Sequence, residues 1–152
     1  MNKRKLWGGA AVVGLAVVGV LATRTAAPAQ ATKIVVYKDA TCGCCVHWID
    51  HVKAAGFRVS VRNRTDLTDI KGRYGVTPAL MSCHTAVVDG YAVEGHVPAD
   101  VIQRLLRERP AVVGIAVPGM PAGAPGMEGL VRESYSVVTF DRSGVTRIYA
   151  TR

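Results

Sequence analysis

Three of the four cysteines in this chain fall within four residues, Cys42-Gly43-Cys44-Cys45, and the fourth, Cys83, stands alone downstream. That spacing limits what can hold the fold together. The α-carbons of neighbours such as Cys44 and Cys45 are about 3.8 Å apart, whereas an unstrained disulfide needs roughly 4.4–6.8 Å. The pattern therefore does not read as the two-disulfide framework of a small exported domain, and a packed core must carry the fold. Crowding three thiols into one turn points instead to chemistry.

The first 31 residues suggest where that chemistry takes place. Lys3, Arg4 and Lys5 form a basic start, Leu6 to Ala22 runs 17 residues without a charge, and Ala29-Gln30-Ala31 supplies small residues at signal-peptidase spacing. Segments in that order describe a secretory signal peptide spanning 1–31, cleaved after Ala31. An uncleaved membrane anchor is the alternative, although the run is at the short edge of the roughly 17–25 residues that span a bilayer. A cleaved leader leaves 32–152 as one periplasmic domain; membrane contact arises only if the leader stays. Of the 19 Lys and Arg residues, Lys3, Arg4, Lys5 and Arg24 lie in the leader, and none of the 11 acidic residues does, so the net charge falls from +8 to +4. The remaining cations are scattered, without runs or aromatic interleaving, which argues against a nucleic-acid partner.

Lys33 to Lys38 is a β-branched run that predicts a buried strand. Asp39 to Cys44 is a turn around Gly43. From Cys45 onward, Val46, Ile49, Val52 and Ala55 recur at helical spacing, and Gly56 ends the helix. Phe57 to Asn63 alternates as a second strand, and Thr65 to Tyr74 predicts a short helix. Ala79 to Val88 predicts a third strand after Thr77-Pro78, and Asp89-Gly90 a tight hairpin into a fourth strand, Tyr91 to Gly95. Pro98 opens a last helix over Ala99 to Glu108. This β-α-β-α-β-β-α order predicts an α/β, thioredoxin-like fold: a central mixed sheet flanked by helices. Cys42 and Cys45 then lie between the first strand and the first helix, with Pro78 opposite. Residues 110–152 form an extension. It begins with a Gly/Pro-rich loop in which Pro118-Gly119-Met120 and Pro125-Gly126-Met127 repeat at a spacing of seven. A β-hairpin, Tyr135 to Phe140 and Val145 to Tyr149, closes the chain; no local pattern says where it docks.

Cys42 and Cys45 have Cys-x-x-Cys spacing, with Cys44 as an additional thiol. A strand-to-helix corner offers unsatisfied amides and the positive end of the helix dipole, which lower a thiol pKa below about 8.5. Thiol–disulfide exchange and metal binding both use such thiolates. Cys83, if it reaches the other three, favours metal, because exchange needs only two sulfurs. On a strand, Cys83 and His84 alternate to opposite faces, which separates His84 from that site. Thiolates select Cu(I), Zn(II) or iron–sulfur. Zinc ribbons pair two Cys-x-x-Cys knuckles and one is present here, whereas neighbouring Cys44 and Cys45 suit sulfurs that bridge several Cu(I) ions. His47 is an auxiliary ligand candidate or a helix-surface residue; His51 reads as surface and His96 as a loop residue. Met120 and Met127 are soft thioethers, auxiliary ligands or edge packing. Met81 and Trp48 read as core. No acid–base pair or phosphate loop suggests hydrolytic or transferase chemistry, and no catalytic residue is assigned.

Cys42-Gly43-Cys44-Cys45, Ser82-Cys83-His84-Thr85-Ala86, Glu94-Gly95-His96-Val97-Pro98 and the paired Pro-Gly-Met loop together resemble the bacterial copper-resistance proteins called CopG, over Lys33 to Met127. The resemblance implies a thioredoxin-like fold, a periplasmic location and a multinuclear Cu(I) site bridged by cysteine, with Cys42, Cys44, Cys45 and Cys83 as ligands. It implies a role in copper resistance, by interconverting Cu(I) and Cu(II) or by carrying copper passively to an export system or periplasmic copper carrier. A thiol–disulfide oxidoreductase using Cys42 and Cys45 is the competing reading.

Overall fold

The computed structural model of the protein describes residues 31–152. Apart from Ala31, the leader read from the sequence lies outside the described residues. Among those described, no helix is long and apolar enough to cross a membrane.

The chain builds one seven-stranded mixed sheet with helices, an α/β architecture. β1 (Lys33–Lys38) leads into α1 (Gly43–Ala54), which returns the chain to β2 (Arg58–Asn63), parallel to β1. A parallel neighbour needs a crossover of this kind. After α2 (Thr68–Arg73) and a 3-10 turn, Pro78–Leu80, β3 (His84–Val88) runs antiparallel to β1. The Asp89-Gly90 turn folds β4 (Tyr91–Glu94) back onto β3, with Val88 opposite Tyr91 and Thr85 opposite Glu94. α3 (Ala99–Glu108) then leads to β5 (Gly114–Ala116), parallel to β4. The closing hairpin, β6 (Ser136–Phe140) and β7 (Thr146–Thr151), docks antiparallel on β5, which gives the order β2-β1-β3-β4-β5-β6-β7.

Three sequence expectations need correction. The first helix begins at Gly43, so Cys44 and Cys45 lie inside it. The third strand begins at His84, not Ala79, because Pro78, with fixed φ and no N–H to donate, starts a 3-10 turn instead. β5 went unpredicted because three residues are too few for alternation to register; its pairing with β4 and β6 makes it a strand.

The sheet is covered on both faces. On one, Ile34, Val36, Ala86, Val88 and Val93 pack against Trp48, Ile49 and Val52 of α1 and Val101, Ile102 and Leu105 of α3. On the other, Ala92, Ala116 and Phe140 meet Val76 and Leu80, the segment following α2. Alternate residues of β3 and β4 thus face different cores. Their ends, at His84 and Glu94, are where the chemistry gathers.

Candidate metal centre

The turn after β1 is set by Asp39, whose carboxylate accepts from the backbone N–H and hydroxyl of Thr41 (2.8 and 2.5 Å). It delivers Cys42 as the residue capping α1, so Cys44 and Cys45 occupy the first helical turn. Cys45 is fully buried, and Cys42 and Cys44 are half-buried. Cys83 comes from the opposite side, on the irregular segment between the 3-10 turn and β3.

Cys83 does reach the other three. Its Sγ lies 3.4 Å from Cys45 Sγ and 3.8 Å from Cys44 Sγ, and Cys44 Sγ lies 3.6 Å from Cys42 Sγ. Cys42 and Cys45 are joined as a disulfide, while Cys44 and Cys83 are free. The four sulfurs form one group able to hold a metal ion.

Two histidines complete the site, against the sequence expectation for both. Because β3 begins at His84, strand alternation does not apply to Cys83, and His84 Nδ1 sits 3.3 Å from Cys83 Sγ. His96 is fully buried, with Nε2 3.0 Å from Cys83 Sγ. Its Nδ1 is 2.7 Å from the carbonyl of Pro125, which can only accept. The ring hydrogen is therefore on Nδ1, and Nε2 turns its lone pair toward Cys83. His84 packs against Trp48, with ring centroids 4.3 Å apart, and its buried Nε2 has no hydrogen-bond partner among the described residues. Such an atom costs about 1–3 kcal/mol, which marks His84 as held for something other than stability. Cys83, His84 and His96 form a second donor group, sharing Cys83 with the first.

Burial favours the uncharged forms of Cys83, His84 and His96. Burial, reinforced by neighbouring Cys44, pushes the Cys83 thiol up to about 12. Burial also holds His84 well below the ordinary 6.5, with His96, Lys71 and Lys38 adding to the effect. His96 is lowered by burial too, partly offset by its bond to Pro125. Neutral imidazoles are ready to ligate, and the thiol must release its proton when metal binds.

The other sequence candidates divide. His47 is exposed on α1 and stands outside both donor groups. His51 Nε2 accepts from Ala99 N–H (3.0 Å), tying α1 to α3. Trp48 is core, as expected, and donates its indole N–H to Val97 O (2.8 Å). Met81, expected in the core, is 38% exposed. Met120 is exposed and Met127 half-buried; both belong to a strap over the cysteines. Gly119 N–H donates to Met81 O (3.1 Å) and Ser82 Oγ to Gly119 O (2.6 Å). Gly126, at φ +83°, presses on α1 so closely that a Cβ there would lie 2.7 Å from both Cys44 O and Trp48 N.

Sulfur beside neutral imidazole nitrogen is the donor chemistry of late transition metals. Fold and site together define an α/β protein built around a candidate metal centre. Two solved structures are similar to it: a copper resistance protein CopG in form 2, 48% identical with a TM-score of 0.77, over 81% of this chain and 99% of that one, and the same protein in form 1, 48% identical with a TM-score of 0.76, over 81% and 98%. The chain belongs to the CopG family of copper resistance proteins. The model of a family described as a protein of unknown function, DUF411, matches residues 80–127, which carry Cys83, both histidines and the strap. No curated protein matches.

Proposed function

We propose that this protein is exported to the periplasm and holds Cu(I) there as a multinuclear, cysteine-bridged centre that serves copper resistance. The observation that carries the reading is the convergence of Cys42, Cys44, Cys45 and Cys83 sulfurs on one spot beside two buried neutral imidazoles. The four thiolates bridge, and His84 and His96 join them through Cys83. Soft sulfur suits Cu(I), and nitrogen extends the donor set toward Cu(II). Met120 and Met127 on the strap are the auxiliary ligands that would accept or hand over Cu(I). The frame is thioredoxin-like: β1-α1-β2 and β3-β4-α3 place the Cys-x-x-Cys pair at the start of α1, and β5 to β7 extend that core.

The Cys42–Cys45 pair gives the centre a redox partner. Two thiols that close to a disulfide release two protons and two electrons, enough to reduce two Cu(II) to two Cu(I). Reopening the disulfide would take two electrons back from two Cu(I), with two protons, and restore the thiol pair, so copper oxidation state and ligand number would be coupled. The exchanged electrons stay within one site, and Cys44 and Cys83 take no part in the disulfide.

The same disulfide favours a second reading, a thiol–disulfide oxidoreductase using Cys42 and Cys45. Replacing Cys44 by Ser separates the two. A copper centre loses stoichiometric Cu(I) binding in this variant; an oxidoreductase keeps disulfide turnover, which needs only Cys42 and Cys45. Retained copper stoichiometry in Cys44→Ser sinks the bridged centre. A passive carrier binds and transfers Cu(I) without redox turnover, and stopped-flow transfer to an acceptor, followed with the Cys42–Cys45 redox state, distinguishes it.

A further inference from the structure

Beneath the metal centre, on the opposite face of the sheet, lies a buried ion pair that none of the chemistry above uses. Lys71 comes from α2, Glu94 from the end of β4, and Thr85 from β3 directly opposite Glu94. Glu94 has no exposed surface and Lys71 is 6% exposed. Lys71 Nζ donates to the Glu94 carboxylate, to Ser82 O (3.1 Å) and to Thr85 Oγ1 (3.2 Å), which uses all three of its hydrogens. Glu94 also accepts from the Thr85 hydroxyl (2.6 Å) and from the backbone N–H of Ser82 (2.7 Å).

Both backbone groups of Ser82 therefore end on this pair, one on each partner. Ser82 is neither in a strand nor in a helix, and no backbone-to-backbone hydrogen bond holds it among the described residues. The next residue is Cys83, the sulfur shared by the two donor groups. From above, Ser82 Oγ ties the strap through Gly119 O. From the side, Gly95 (φ +72°) closes in until a Cβ there would be 2.6 Å from Ser82 Cβ.

We propose that Lys71 and Glu94 are a positioning pair for the metal centre, clamping the Ser82 peptide and so placing the Cys83 sulfur and the strap. Stability alone does not account for the pair. Burying two charges is often no better than burying two apolar side chains of similar size. A metal site, in contrast, needs its ligands held to within about 0.5 Å by supporting contacts, and Cys83 has no strand ladder of its own to do this. The pair is internally neutral, so what it supplies is placement rather than charge. The proposal rests on the copper reading only for its copper readout.

The test is a double variant, Lys71→Met with Glu94→Leu, which removes both charges and keeps apolar bulk. The expected protein is folded by circular dichroism, with a thermal midpoint at or above that of the parent. In reduced, metal-free protein, alkylation of Cys83 by iodoacetamide, mapped by mass spectrometry, should accelerate several-fold while that of Cys44 stays unchanged. Cu(I) affinity should fall about 10–100-fold, the usual loss when a ligand's support is removed. Lys71→Met with Glu94→Gln retains an acceptor for Ser82 N–H and should return Cys83 protection most of the way to the parent level. Unchanged Cys83 alkylation in the Met/Leu variant overturns the proposal, as does a Met/Gln variant no better protected than Met/Leu. If the Met/Leu variant does not fold, Lys71→Met alone is read, where an unchanged Cys83 rate again overturns it. Should the parent itself bind no Cu(I), the copper reading fails on its own and the alkylation arm still decides the positioning role.

Discussion

Replacing Gly126 by Ala tests how the strap is held over the cysteines. Gly126 has φ +83°, and a Cβ built on it would lie 2.7 Å from Cys44 O, 2.7 Å from Trp48 N and 3.2 Å from Trp48 Cα. Those atoms are backbone of the first turn of α1, so none can swing aside as a side-chain tip would. A left-handed conformation costs a residue with a Cβ about 1–2 kcal/mol, and overpacking a closed contact adds about 1–3 kcal/mol. Left in place, the strap would thus destabilise the fold by about 2–5 kcal/mol. Lifting the Pro125–Met127 segment off α1 relieves the overpacking, and rearranging its turn bonds at Met127 lets residue 126 leave the left-handed region. The contact to the site that is lost is the bond from His96 Nδ1 to Pro125 O, worth about 1 kcal/mol net. The strap is therefore expected to move while the sheet stays. In urea titrations Gly126→Ala should lose about 1–2 kcal/mol rather than the full strain. Nitrogen NMR should show His96 no longer fixed as the Nδ1–H tautomer, and Cu(I) affinity should drop. A variant with full stability, an unmoved His96 and an unchanged copper site would refute the strap's close packing on α1.

Three further outcomes are expected. His96→Ala should keep the fold and weaken Cu(I) binding at least about tenfold, judged against the range for disturbed ligand environments; competition with a chromophoric Cu(I) chelator measures it. Leu105→Ala, at a fully buried α3 position, should cost about 2–5 kcal/mol in chemical denaturation, with copper stoichiometry unchanged in the folded fraction. Burial holds His51 below the ordinary 6.5, against the opposing pull of Glu128 and Asp100. The unfolded chain then binds its proton first as pH falls, so this contribution is fully present above pH 6.5 and lost as pH drops from there through the folded-state value. Stability curves at pH 7.5 and 5 should diverge in the parent and less so in His51→Gln; equal divergence contradicts the burial of His51 as a source of the pH dependence.

Periodicity and turn chemistry reached most of the sheet. The Ile-Val-Val run of β1, the Val46–Val52 spacing and the Asp89-Gly90 turn each correspond to an observed element. What escaped was set by tertiary pairing. β5 is three residues held by neighbours on both sides, and the hairpin's docking place followed from it. The site was half legible. Sulfur crowding at Cys42, Cys44 and Cys45 was readable; that Cys83 reaches them is implied by the family resemblance, and the residues alone leave it open. The histidines were within reach of a signal left unused. A two-residue turn at Asp89-Gly90 fixes the β3–β4 register, Val88 opposite Tyr91 and Thr85 opposite Glu94, and continuing that count sets Cys83 across from His96. Strand alternation separates His84 from Cys83 only in a strand that begins at Ala79, and β3 begins at His84. Lys71 and Glu94 carried no local signal, since an isolated Lys in a polar helix and a Glu at a strand end ordinarily face water.

The most direct measurement is an anaerobic Cu(I) titration of the fully reduced protein, with copper per chain counted by elemental analysis. More than one tightly held Cu(I) per chain, lost when Cys44 or Cys83 is replaced by Ser, is the result expected of a bridged centre. One Cu(I) or none, with Cys42 and Cys45 readily closing to their disulfide, would contradict the bridged centre and leave a redox protein on the same frame.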